Sequence, residues 1–141
     1  KSVRVVSNFP ALIRIVNAGA GGVAASGHAL YARNSSGFKV NSADANVVAT
    51  SKFIGFSLNS GAENQPVDVQ IAGIAKGCLA DGAFNAANIG ANVYLSGTAG
   101  TITATAPSTT GDTVFKCGIL LDGSGTAWDV LIQPQFIAQL N

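Results

Sequence analysis

The chain is short of most of the side chains that catalysis or metal binding would use. Its 141 residues include no methionine, one histidine (His28), one tryptophan (Trp128) and two cysteines (Cys78 and Cys117). A structural zinc site would therefore lack ligands of the usual kinds and number. Two cysteines outside any Cys-x-x-Cys spacing allow one disulfide at most, and free buried thiols are the expectation, as in a reducing compartment. Charged residues are only 11% of the chain. That is sparse for a fully solvated exterior, so part of the surface is expected to be covered by partners.

Long apolar runs are missing as well. Although 48% of residues are hydrophobic, they come in short runs broken by Gly, Ser, Thr and Asn, and none approaches the roughly 18 needed to cross a bilayer. A basic segment leading into a long apolar one, as in a secretory leader, does not occur either. No membrane partner is expected. Five basic residues (Lys1, Arg4, Arg14, Arg33, Lys39) precede the first acid, Asp44, and the remainder carries three basic against seven acidic residues. This gives a basic N-terminal arm on a mildly acidic body. The basic residues are few and the aromatics sit in apolar runs instead of alternating with Lys and Arg, so no nucleic-acid partner is expected.

Catalytic constellations are likewise not found. The recurring acids Asp68 and Asp129 occupy matching places in an internal repeat, which explains their recurrence without paired-carboxylate chemistry. His28 has no Gly-x-Ser-x-Gly elbow to serve and reads as a lone loop histidine. The cluster Asn17-Ala18-Gly19-Ala20-Gly21-Gly22 is not followed by the Gly-Lys-Ser/Thr of a phosphate loop and reads as a flexible linker. The sequence predicts no catalytic residue, no cofactor and no metal, hence no enzyme.

What the chain does contain is a repeat. Gly27, Tyr31, Gly37, Ala43, Gly55 and Leu58 stand 63 residues before Gly90, Tyr94, Gly100, Ala106, Gly118 and Leu121, and Val67-Asp68-Val69-Gln70-Ile71 stands 61 before Trp128-Asp129-Val130-Leu131-Ile132. The repeat covers about residues 27–76 and 90–137, two supersecondary units packed together. Each copy reads as strands punctuated by glycine. Phe53 to Leu58 and Phe115 to Leu121 are read as buried central strands, and a Gly at the same place in both (Gly55, Gly118) implies a bulge or the close approach of another backbone. Alternation in Val67 to Ile71 puts the valines and Ile71 on the core face with Asp68 and Gln70 outward. Trp128, in the place of Val67, is a core or interface anchor. Asp122-Gly123 signals a hairpin. Helix signals over residues 42–49 and 81–89 are weak.

The predicted fold is all-β: a compact β-sandwich or β-tulip-like barrel built from two related β-units with little helix. Residues 1–20 form an N-terminal arm with a strand or strands, and residues 21–141 form one β-domain holding the repeat. At this length about two-thirds of the unfolded chain's surface can be buried. Phe136, Ile137 and Leu140 give the tail three large apolar residues, expected to be buried on the body or on a neighbour.

The runs Phe53-Ile54-Gly55-Phe56-Ser57-Leu58, Val67-Asp68-Val69, Ile89-Gly90-Ala91-Asn92-Val93-Tyr94-Leu95-Ser96, Gly100-Thr101-Ile102-Thr103, Gly118-Ile119-Leu120 and Val130-Leu131-Ile132 resemble the small capsid decoration (cement) proteins of tailed bacteriophages, over about residues 20–133. The resemblance implies a small β-body made in the host cytoplasm, clustered as a homotrimer on the outer capsid surface of the virion, with an N-terminal segment reaching onto the major capsid protein. The expected capsid or subunit contacts are Arg4, Phe9, Leu12 and Arg14 in the arm and Phe136, Ile137 and Leu140 in the tail; the other reading is that these residues complete the fold's own sheet. The competing function is an adhesive or carbohydrate-binding module on a head or tail fibre. Such a module needs exposed aromatics, whereas Trp128, Tyr31 and Tyr94 all fall at framework positions of the repeat.

Overall fold

The computed structural model describes residues 13–33, 37–82 and 84–141, with only the backbone for residues 13 and 14. The fold is all-β. Among the described residues ten strands form two five-stranded sheets, and the only helical elements are 3-10 turns at Val48–Thr50 and Ala86–Asn88. The second turn lies within the weak helix signal over residues 81–89 and the first overlaps the end of the one over 42–49; Asn and β-branched residues do not sustain a longer helix there.

The first sheet is a closed barrel in the order β1 (Ile13–Ala18), β3 (Lys39–Ser42), β2 (Ala29–Arg33), β4 (Phe53–Ser57), β5 (Pro66–Gln70). β1 closes it, running parallel to β3 and antiparallel to β5. Residues 13–18, within the span read as an arm, are therefore barrel wall. The glycine cluster after β1 is an ordered turn: Gly22 N–H donates to Gly19 O at 2.9 Å, Gly21 and Gly22 both have positive φ, and Val23 bridges to Gly61.

The second sheet has the order β6 (Ile74–Leu79), β10 (Ala127–Gln139), β9 (Thr113–Ser124), β7 (Asn92–Leu95), β8 (Ile102–Thr103). It repeats the first, strand for strand. Ala29 pairs with Phe56 and Leu30 with Gly55, after which the register slips so that Tyr31 meets Phe53. Sixty-three residues on, Asn92 pairs with Ile119 and Val93 with Gly118, and the same slip brings Tyr94 opposite Lys116. β6 lies beside β10 as β1 lies beside β5. The parallel pair Ala18↔Val40, which closes the barrel, has a counterpart in the single parallel bridge Ala80↔Ile102.

Gly55 and Gly118 explain why both copies need glycine. A Cβ on Gly55 would run into Gln70 O, and one on Gly118 into Leu131 O. In each unit the partner strand's backbone occupies the space a side chain would need. The repeat thus preserves a close strand approach and the bulge beside it.

Two apolar cores result. Val16, Ala18, Val23, Leu30, Val40, Val67 and Val69 fill the barrel. The larger core joins Ala29, Phe53 and Phe56, on the barrel's other face, to Val93, Leu95, Ile102, Cys117, Leu120, Trp128 and Val130 of the second sheet. Each fully buried large apolar side chain contributes about 1.5–3 kcal/mol. Trp128 is an inner residue, with its ring edge-on to Phe84 at 5.7 Å and its indole N–H donating to Gly125 O at 2.9 Å. Gln70 departs from the sequence expectation. It is 3% exposed, not outward, because its face of the barrel is covered by the second sheet, and its Nε2 donates to Ala72 O. The β9–β10 hairpin also turns later than Asp122-Gly123: both residues lie in β9, and Gly125 and Thr126 make the connection.

Candidate docking surface

The side chains singled out for chemistry are held apart and engaged in the fold. Asp68 is in β5 of the barrel and Asp129 in β10 of the other sheet. Asp129 accepts from Lys76 Nζ at 3.2 Å and from the backbone N–H of Gly77 at 3.3 Å, at the point where β6 slips register against β10. His28 places Nδ1 3.0 Å from Ser42 Oγ, donates its backbone N–H to Ser57 Oγ at 3.0 Å, and has its ring against Gly100. It therefore sits at the junction of the two units, and burial lowers its pKa below the ordinary imidazole value. Cys78 and Cys117 are free and buried. Burial raises both thiol pKa values well above the usual range, with the Asp129 charge adding to the effect at Cys78 and Cys78 adding to it at Cys117. Neutral thiols in an apolar core are poor nucleophiles. Among the described residues no three His, Cys, Asp or Glu side chains gather in a way that would hold a metal ion.

The apolar surface is more informative. β9 and β10 are 12 and 13 residues long, and their far ends run past the other strands as a two-stranded ribbon. β7 stops at Lys116, beyond which Phe136 pairs with Phe115 and Gln139 with Thr113, while β6 accompanies β10 only over Ala127 to Leu131. Two register slips, one between Ile132 and Gln135 and one between Phe136 and Ala138, twist this part of β10. Phe136 is 55% and Ile137 46% exposed, and Leu140 is half-buried where its backbone exchanges hydrogen bonds with Gly111 and Asp112. Among the described residues, then, nothing covers the tail's two largest exposed side chains. Sequence alternation cannot say whether an apolar strand end finds cover within its own chain.

Beside the ribbon lies an apolar groove of about 460 Å³, where one end of the barrel meets β10. Val16, Phe38, Phe53, Ile54, Ile71 and Pro134 line it. Phe38 is 52% exposed, and Pro134 stands two residues before Phe136. The groove was not visible in the sequence, because its lining comes from five different parts of the chain, and Pro134 is the residue through which β10 joins it. Arg4, Phe9, Leu12 and the Arg14 side chain, the other expected contacts, lie outside the described residues. Tyr31 is not wholly framework: it packs on the larger core and is half-buried, with part of its surface on a second cleft. Comparison of the chain with protein-family models, with curated proteins and with solved structures finds no match.

Proposed function

We propose that this chain is a capsid decoration protein of a tailed bacteriophage, binding the major capsid protein on the outer surface of the assembled shell and stabilising it, with a homotrimer as the bound unit. The observation that carries the reading is the exposure of Phe136 and Ile137 on β10, the strand that also contributes Pro134 to the apolar groove at Phe38. An apolar region of this kind marks an interaction surface, and in a chain with few charges it provides the means of docking. The sequence resemblance supplies the identity of the partner. Stabilisation follows by mass action: a protein that binds the assembled shell and not its dissociated subunits shifts the equilibrium toward assembly, and repeated small contacts over a lattice reinforce one another. The fibre-adhesin reading lacks a tryptophan platform, since Trp128 is 3% exposed.

The test uses capsids lacking the protein. They should lose resistance to heat or chelation and regain it when the purified chain is added back. Phe136→Ser with Ile137→Ser should fold normally and fail to restore resistance. Failure of the unmodified chain to bind bare capsids would remove the proposal.

A further inference from the structure

A second cleft, also of about 460 Å³, lies on the barrel side of the molecule. It is lined by Gly21, Gly22, Tyr31, Arg33, Asn41 and Ala49 among others, and it is as polar as it is apolar. Its geometry starts from the strand pair β2–β3, where Tyr31 and Asn41 are register partners and Arg33 is opposite Lys39. The Asn41 amide is fixed on three sides. Its Nδ2 donates to Ala20 O and Gly22 O, both at 3.0 Å, and its Oδ1 accepts from Arg33 Nη1 at 3.1 Å. Gly19 lies directly beneath this pair: a Cβ there would strike Asn41 Oδ1 and stand 2.9 Å from Arg33 Cδ. The turn that reads in sequence as a linker is a base on which Asn41 holds the guanidinium.

Arg33 is thereby presented with most of its five N–H donors unspent. No acidic side chain pairs with it among the described residues, where the one ion pair is Lys76–Asp129. The duplication supplies a control within the molecule. At the positions that correspond by register and hydrogen bonding, the second unit keeps Tyr94 for Tyr31 but has Ser96 for Arg33, Thr103 for Asn41 and Asp81 for Gly19. There Ser96 Oγ donates to Asp81 Oδ2 at 3.3 Å. The fold is built twice and the cationic cleft once, so the strand pairing itself does not require Arg33.

We propose that this cleft binds a carboxylate-bearing monosaccharide unit, a uronic acid. Arg33 pairs with the carboxylate through its planar fork of donors, and the ring of Tyr31 packs against the pyranose. Gly21, Gly22 and Ala49 keep the wall low enough for the sugar to approach the backbone. The volume is in the range of small-ligand sites, about 300–1,000 Å³. The site does not rest on the capsid role, and a uronate bound here suits the competing carbohydrate-binding module as well.

The experiment is an NMR titration of the full chain with D-glucuronate and D-galacturonate, with glucose and acetate as comparisons. A uronate should give saturable shifts confined to amides of residues 19–22, 31–33 and 41–42, at least about tenfold tighter than glucose or acetate, because sugar and carboxylate contribute together. Arg33→Gln should weaken uronate binding about tenfold or more while the chain stays folded, its thermal midpoint lowered by no more than the loss of one hydrogen bond to Asn41, and Arg33→Lys should recover part of the loss. Asn41→Ala should lower the preference for glucuronate over glucose, a ratio that a merely structural loss would not move. No saturable shift in the tens of millimolar, acetate binding as tightly as uronate, or full affinity in Arg33→Gln would each overturn the proposal.

Discussion

Gly118→Ala tests the claim that the repeat preserves a close backbone approach. Gly118 is in the middle of β9, paired with Val93 on one side and Ile132 on the other. The new methyl would fall on Leu131 O, with Val130 Cγ1 at 2.8 Å and Leu131 C at 2.9 Å. A side chain can rotate out of the way, but the Leu131 carbonyl cannot, because β10 is held between β9 and β6 at that point. Relief requires moving two central strands apart. Overpacking of this kind costs about 1–3 kcal/mol and sometimes more, while the reduced freedom of alanine in the unfolded chain returns about 0.4–1 kcal/mol only where the native site accepts it without strain. The expected net loss is about 2–3 kcal/mol, or about 8–12 °C in Tm for a chain of this size. Gly55→Ala, facing Gln70 O in the barrel, should lose a similar amount. Gly21→Ala is the control: its φ is +86° with nothing within 4 Å of the added methyl, so it should cost only the left-handed strain of about 1–2 kcal/mol. Urea unfolding followed by Trp128 fluorescence measures all three. A Gly118→Ala chain as stable as the parent, or a Gly21→Ala chain less stable than Gly118→Ala, would refute the reasoning.

Two further outcomes are expected. Trp128→Ala should destabilise by about 3–5 kcal/mol, through loss of the buried indole, its edge-on contact with Phe84 and its bond to Gly125 O; calorimetry should show a Tm drop at least as large as that of Gly118→Ala. The buried thiols predict alkaline sensitivity. Their folded pKa values are raised by burial, so above the ordinary thiol pKa the unfolded chain releases protons that the folded chain keeps. Stability is complete below that pH and falls above it by up to about 1.4 kcal/mol per unit for each thiol. Urea midpoints from pH 7 to 10 should decline, and Cys117→Ala should flatten the decline. An unchanged slope in that variant would remove the thiols as its cause.

The parts of the fold legible in the sequence are those where backbone geometry dictates the residue. Gly55 and Gly118 announce the repeat because nothing else fits against the facing carbonyl, and Trp128 matches Val67 because both fill the interior of their units. A strand before residue 20 was legible, but the match of β1 to β6 was not, because their shared place beside β5 or β10 needs only apolar residues, and the register slip at Lys76 and Gly77 blurs the offset. β3 and β8 correspond at 62 residues, as the pairs Ala18↔Val40 and Ala80↔Ile102 show, so a fixed offset of 63 misplaces them by one. Gln70 misled because alternation marks a second face as outward without saying what covers it. The Arg33 cleft was invisible because Gly19, Arg33 and Asn41 meet only once β1, β2 and β3 lie side by side.

Closure of the barrel by its earliest described strand has a consequence for synthesis. β1 needs β5, which follows about 50 residues later in the chain, and at about 5–20 residues per second the ribosome takes roughly 3–10 seconds to deliver it. For that interval β1 has β3 as its only parallel neighbour, joined at Asn17 and Ala18. A chain arrested after β4 would expose both β1 and β4 as unpaired edges, an aggregation risk that the arrival of Pro66–Gln70 removes in one step. The barrel is thus sealed by a single segment, and the emergence of residues 66–70 from the ribosome is the moment at which the first unit becomes safe from its neighbours.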